Sequence, residues 1–221
     1  MPTPSFSWSE IRFLNDHAEI DKTRRRLPHW QQDGKTFFVT FRLNDSLPVA
    51  VLNAWRNERK HWLADHPQPW PPETEAEYHR LFSAAIDRHL DQGHGSCLLR
   101  KPEHTTTVAA SFHHFDGERY ILHAFVVMPN HVHLAMSLEG GHGLSAVVRD
   151  WKRFTATTIR KADGTSGALW MPDHFDRLVR DWDHFIHICR YILRNPVKAK
   201  LPGGAFGLYT APWVKRLLDM G

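Results

Sequence analysis

The chain is predicted to fold as an α+β domain in which an antiparallel sheet carries packed helices. Three observations predict it. First, 221 residues with 42% hydrophobic and 24% charged side chains make one domain of ordinary globular composition, long enough to bury a core without a disulfide staple. Second, residues 120–138 read as a β-hairpin, YILHAFVVM and HVHLAMSL joined by the turn Pro129-Asn130. Third, the element signals along the chain run strand, helices, strand, strand, helix, strand, helix.

Taken in order, residues 1–35 read as an irregular arm. Its basic cluster Lys22, Arg24, Arg25 and Arg26 is either solvated surface or a nucleic-acid contact. Residues 36–43 (TFFVTFRL) are β-branched and aromatic, hence a strand, closed by Asn44, Asp45 and Pro48. Residues 49–64 have helical periodicity, with Val51, Leu52, Trp55, Trp62 and Leu63 on the apolar side. Four prolines in 66–72 mark a linker. A second helix follows at 74–91, carrying Tyr78, Leu81, Phe82, Ile86 and Leu90, and a further one at 103–114.

After the hairpin, 144–162 reads as a basic helix stopped by Asp163-Gly164, and 174–180 (HFDRLVR) alternates as a strand. Residues 182–194 form a helix expected to stop before Pro196, and the tail from 201 to 221 reads as mostly irregular. With the stretch at about 64–104 treated as a helical insertion after the first strand, the core at 36–200 has the order β-α-β-β-α-β plus a last helix. That is the ferredoxin-like (RRM-like) split βαβ arrangement.

Two cysteines, Cys97 and Cys189, are too few for a Cys-rich zinc module and point to a reducing compartment. Residues 1–14 lack the basic and apolar regions of a signal peptide, and the longest apolar run, 124–128, is far too short to cross a bilayer. A cytoplasmic protein with no membrane partner is expected. The formal charge of +4 is unevenly distributed. Residues 64–104 hold seven acidic side chains against four Lys/Arg, whereas 144–200 hold eleven Lys/Arg against six Asp. The middle segment is therefore expected to lie away from any nucleic-acid face. Lys152, Arg153, Arg180, Arg190 and Arg194 are the candidate phosphate contacts. Trp30, Trp170 and Trp213 suit either the core or stacking on unpaired bases, while Trp55 and Trp62 suit the core.

Seventeen histidines invite a metal reading, but the count alone is no signature. Chance alone gives about 1.3 H-x-H pairs in such a chain, and there is one, His131-Val132-His133. On a strand, residues i and i+2 share a face about 7 Å apart at Cα, so the two imidazoles can converge on one ion, or be two ordinary hairpin histidines. Tyr191 and Asn195 lie one helical turn apart, a phenol able to attack beside an amide oxygen able to ligate a metal; a core aromatic fits the same spacing. His187 precedes Tyr191 by one turn, where it could orient or deprotonate the phenol. If Met128 pairs with His131, then Leu122, Ala124 and Val126 share the face of the histidine pair and His123 lies opposite.

Residues 125–134 (FVVMPNHVHL) and 191–201 (YILRNPVKAKL) resemble the IS200-like single-tyrosine HUH transposases, in particular the subgroup associated with repetitive extragenic palindromes (REP). Between these blocks, Leu169-Trp170 and residues 175–180 (FDRLVR) are also similar, and the likeness runs from about Trp30 to Trp213. The resemblance implies that His131, His133 and Asn195 bind one divalent metal, Mg²⁺ or Mn²⁺, with water and phosphate oxygen completing the sphere. Related enzymes often use Gln as the third ligand, and Asn agrees with the palindrome-associated subgroup. It further implies that Tyr191 attacks a phosphate of single-stranded DNA at palindromic, hairpin-containing ends, giving a 5′-phosphotyrosine adduct and a free 3′-OH. Such a protein would act as a monomer or homodimer on the nucleoid. No G-x-x-x-x-G-K-[ST] run is present, in keeping with strand transfer that conserves bond energy. The alternatives are a non-catalytic palindrome-binding relative and a metal-dependent hydrolase of another substrate.

Overall fold

The computed structural model of the protein describes residues 11–13, 21–24, 28–31, 34–67 and 70–220. A two-stranded ribbon, β1 (Asp21–Arg24) against β2 (Pro28–Gln31), precedes the main sheet. Then follow β3 (Thr36–Arg42), α1 (Val49–Asp65), α2 (Pro72–Tyr78) and α3 (Ala84–Leu90), the last two joined by a π turn at His79–Ser83. A 3₁₀ turn (Leu98–Arg100) leads into α4 (Pro102–His113), and the hairpin is β4 (Tyr120–Val127) and β5 (His131–Leu138). The chain continues through α5 (Leu144–Asp163), β6 (Phe175–Leu178), α6 (Trp182–Lys198), β7 (Gly207–Thr210) and α7 (Pro212–Asp219).

The main sheet has the order β6-β3-β5-β4-β7 and every pair is antiparallel. Strands β6, β3, β5 and β4 carry the ferredoxin-like order expected from the sequence, and β7 extends the sheet beyond β4. Alternation along the strands builds two cores. Phe37, Val39 and Phe41 of β3, with Val132, Leu134 and Met136 of β5, pack against Phe112 of α4 and Val148 and Trp151 of α5. The opposite face, with Ala135 of β5 and Ala124 and Val126 of β4, packs against Phe185, Ile188 and Ile192 of α6 and Trp213 and Val214 of α7. The sheet is thus buried on both sides, which explains why β5 is buried at all eight positions, polar residues included. Gly164 ends α5 in the left-handed region at φ 63°, its N–H donating to the Arg160 carbonyl.

Four expectations need correction. The ladder between β4 and β5 slips between Leu122 and Ala124, a β-bulge. The extra residue inverts the alternation upstream of it, so Leu122 lies in the α4/α5 core. His123 turns onto the α6 face, donating to or accepting from Ser137 Oγ at 2.7 Å and standing edge-on to Phe185 and Trp213. Period-two reasoning placed both on the wrong side. Secondly, α6 does not stop before Pro196 but runs through it to Lys198. Proline forbids only its own bond to the Ile192 carbonyl, and the buried Ile192, Asn195 and Pro196 hold the last turn in place.

Thirdly, the segment read as an irregular tail holds β7 and α7. The signal was the apolar stripe of α7, where Trp213 and Val214 are buried and Leu217 and Leu218 pack against the same core. Finally, the segment 1–35 is not wholly irregular, since β1 and β2 pair within it. Most of that arm, including Arg25 and Arg26, lies outside the described residues.

Trp213 stacks on Phe185 at 5.5 Å with the rings 8° from parallel, tying α7 to α6. Trp213→Ala is expected to destabilise the fold by about 3 kcal/mol through the void it leaves. Urea unfolding would show this as a lower midpoint at unchanged slope.

Candidate active site

The site forms where three separate parts of the chain meet on the α6 face of the sheet. β5 presents His131 and His133, both fully buried. In the middle of a two-sided sheet no water can solvate an imidazolium, so burial pulls His131 down to about 3, helped by the Lys198 charge. His133 is likewise held well below its ordinary value, by burial first and then by His131 and Lys198. Both rings are neutral at pH 7.

Their orientation follows from their other nitrogens. Asn130 Nδ2 donates to the carbonyls of Leu90 (3.2 Å) and His94 (3.1 Å), which fixes the amide so that Oδ1 faces His131 Nδ1 at 2.7 Å. An amide oxygen only accepts, so His131 carries its proton on Nδ1 and a lone pair on Nε2. His133 Nδ1 meets the Thr40 hydroxyl at 2.7 Å. The two Nε2 atoms face each other at 3.0 Å. When the Thr40 hydroxyl accepts from Nδ1–H, both Nε2 lone pairs point at one spot. When it donates, His133 Nε2–H bonds to His131. The two arrangements are tautomers: passing from the hydrogen-bonded pair to the one with both Nε2 lone pairs free moves the His133 ring proton from Nε2 to Nδ1 as the Thr40 hydroxyl turns to accept it. Two nitrogens each about 2.1 Å from one ion, at a right angle, also stand about 3 Å apart.

α6 supplies Tyr191, whose ring centroid lies 5.3 Å from His133 and 5.9 Å from Phe38. One turn later, Asn195 is fully buried; its side chain interacts with the Tyr191 hydroxyl and draws the phenol down against the effect of burial, while its amide oxygen has no hydrogen-bond partner. A buried amide oxygen without a donor costs about 1–3 kcal/mol, which suits an oxygen free to act as a ligand. Among the described residues no three His, Cys, Asp or Glu converge, so a metal here would rest on the two imidazoles and this amide.

α3 supplies what sequence reasoning missed. The Tyr191 hydroxyl donates to Asp87 Oδ2 at 2.9 Å. Burial, followed by the Asp87 charge, raises the phenol above its ordinary value. Burial and the neighbouring Asp91 push Asp87 up to about 6, against the pull of the Tyr191 bond and of Lys198. Lys198 bonds Asp91 Oδ2 at 2.7 Å and lies 5.9 Å from the Tyr191 ring centre. The middle segment, whose charge made it unsuited to a nucleic-acid face, brings two carboxylates to Tyr191 and Lys198. Their only sequence trace is the spacing of Asp87 and Asp91 by one helical turn. His187, the sequence candidate for handling the phenol proton, is not the group that holds it.

The candidate phosphate contacts divide. Lys152 and Arg153 lie on α5, whose apolar side packs on the other face of the sheet. Lys152 is a structural pin, donating to the carbonyls of Met171, Pro172 and Asp173 (2.9–3.2 Å), and burial lowers it to about 7. Arg180 pairs with Glu75 of α2. Arg190 and Arg194 lie on α6, Arg194 exposed. Trp170 and Trp213 are core residues, and the Trp30 side chain is outside the described set.

No protein-family profile matches the chain, and no curated protein matches it. The chain is similar to a solved structure of a REP-associated tyrosine transposase bound to a REP hairpin. The likeness covers 80% of this chain and 73% of that one, at 19% sequence identity and a TM-score of 0.38.

Asn130→Ala removes the acceptor that sets the His131 tautomer. In ¹⁵N-resolved imidazole spectra at pH 7, wild type is expected to show His131 as the neutral Nδ1–H form, and the variant to shift towards Nε2–H.

Proposed function

We propose that the protein is a metal-dependent enzyme that nicks single-stranded DNA at hairpin-bearing palindromes and transfers the strand through a 5′-phosphotyrosine intermediate. The observation that carries this reading is the meeting of His131 and His133 Nε2 at 3.0 Å beside a tyrosine whose hydroxyl is held by a carboxylate. The resemblance of residues 125–134 and 191–201 to single-tyrosine HUH transposases supports it.

In this reading His131, His133 and Asn195 hold one Mg²⁺ or Mn²⁺. When bound, the ion polarises the phosphate and offsets charge on its oxygens. The chain's own residues do the rest. Asp87, ionised at pH 7, holds the Tyr191 hydroxyl and takes its proton as Oη bonds to phosphorus. The P–O3′ bond breaks, and the departing oxygen takes up a proton to become the free 3′-OH. Lys198, beside the Tyr191 ring, places a cation near the charge that builds on the phosphoryl oxygens. In the second half, a 3′-OH attacks the phosphotyrosine, loses its proton to solvent or to a carboxylate, and Tyr191 leaves and is reprotonated. Each ester bond made replaces one broken, so no nucleotide hydrolysis is needed.

With a hairpin-bearing oligonucleotide and Mg²⁺ or Mn²⁺, wild type is expected to form an adduct that survives SDS, and Tyr191→Phe none. An adduct mapped to another residue, or full cleavage by the variant, overturns the assignment. Because Asp87 must be ionised to accept the proton, wild-type cleavage is expected to fall as pH drops through about 6. Asp87→Asn is expected to lower the rate roughly 10²- to 10⁴-fold and to abolish that acid limb. Single-turnover rates between pH 5 and 8 check both points.

A further inference from the structure

A cavity of about 290 Å³ opens beside Tyr191 between edge strand β6, the α2–α3 segment and α6. That is near the lower end of the range for small-ligand sites, roughly 300 Å³. Its planar lining is Phe38, Trp70, Tyr78 and Phe175. The polar lining is unbalanced towards donors. Three carboxylates border it and each is engaged: Glu75 by Arg180 and by His79 (3.4 Å), Asp176 by His174 (3.6 Å) and Asp87 by Tyr191.

Two buried donors at this cavity have no partner, Arg177 Nε and His184 Nε2. His184 Nδ1 accepts from the Arg180 backbone N–H at 3.2 Å, so in the neutral ring the proton sits on Nε2. Burial and the nearby Arg177 and Arg180 pull His184 down to about 4, which keeps it in that form at pH 7. Arg177 pairs with Phe38 across the β3–β6 ladder, and the Phe38 ring meets Tyr191 at 5.9 Å. Arg177 is therefore in register with the residue whose ring meets Tyr191.

Aromatic planes beside two unused N–H donors, one of them on a guanidinium, suit a ligand with a flat ring and acceptor atoms such as phosphate oxygens. We infer that this cavity is a nucleotide subsite, seating one deoxynucleotide of the strand next to the phosphate that Tyr191 attacks. Phe38, Phe175 and Tyr78 form the wall for the base, and Arg177 with His184 bind its phosphate. The inference rests on the strand-nicking reading for its place in a reaction, but its test reads binding alone.

Trp70 lines the cavity, so intrinsic fluorescence can follow titration of the full chain with the four deoxynucleoside 5′-monophosphates, their nucleosides and inorganic phosphate. At least one monophosphate is expected to bind saturably and at least tenfold more tightly than its nucleoside or phosphate. Arg177→Gln and His184→Ala are each expected to weaken it tenfold or more at unchanged thermal midpoint. Phosphate binding as tightly as every monophosphate means an anion site only and overturns the inference. So does unchanged nucleotide affinity in both variants. The wild-type comparison stands even where a variant fails to fold. Nucleotide binding without a Tyr191 adduct would sink the reaction and keep the subsite, whereas an adduct without preferential nucleotide binding would sink the subsite alone.

Discussion

The site depends on the cost of charging an imidazole inside a sheet that is covered on both faces. Burial, aided by the Lys198 charge, keeps His131 and His133 neutral, and neutrality gives each ring a lone pair to present. Asn130 and Thr40 then decide where those lone pairs point. Each ring is tied at Nδ1, so the remaining freedom is the tautomer of His133, coupled to the direction of the Thr40 hydroxyl. Everything else in the site is placed relative to this pair. α6 lies across it with Tyr191 and Asn195, and α3 closes over α6 through Asp87 and Asp91. The tie also runs the other way, because Asn130 is itself fixed by carbonyls at the end of α3 and just beyond it. The helix that supplies a partner for the Tyr191 hydroxyl thereby helps to aim the histidines.

Much of the fold was legible because its signals are local. The 3.6-residue stripe of α5, the alternation of β3 and β5 and the Pro129-Asn130 turn each speak for themselves within a few residues. Their order is enough to name the ferredoxin-like sheet. What was not legible arose from interactions between distant parts. A single inserted residue near His123 cannot be seen from alternation, because only pairing with β5 reveals it. Pro196 reads as a stop, yet buried neighbours on one helical face outweigh one lost hydrogen bond. The α7 stripe was readable, but Pro202, Gly203, Gly204 and Pro212 masked it.

The site divides in the same way. His131, His133, Tyr191 and Asn195 were visible as spacings, because strand and helix periods place each pair on one face. Asp87 was invisible, because its relation to Tyr191 spans 104 residues and two elements that never pair by pattern. The charge tally also misled. It counted 64–104 as an acidic stretch unsuited to a nucleic-acid face and gave no hint that two of those acids meet a phenol and an ammonium. Lys152 shows the converse, a cation chosen for its charge that instead ties down three carbonyls.

The separation between Asp87 and Tyr191 has a consequence in time. A ribosome makes α3 first, the histidine hairpin next and α6 last, and β7 and α7 follow to pack against that hairpin and α6. Until α6 has docked, the histidines lack their cover and the tyrosine lacks its carboxylate. A partly made chain therefore holds only fragments of the site, and the burial that keeps the imidazoles neutral arrives in one step with the sheet's second layer.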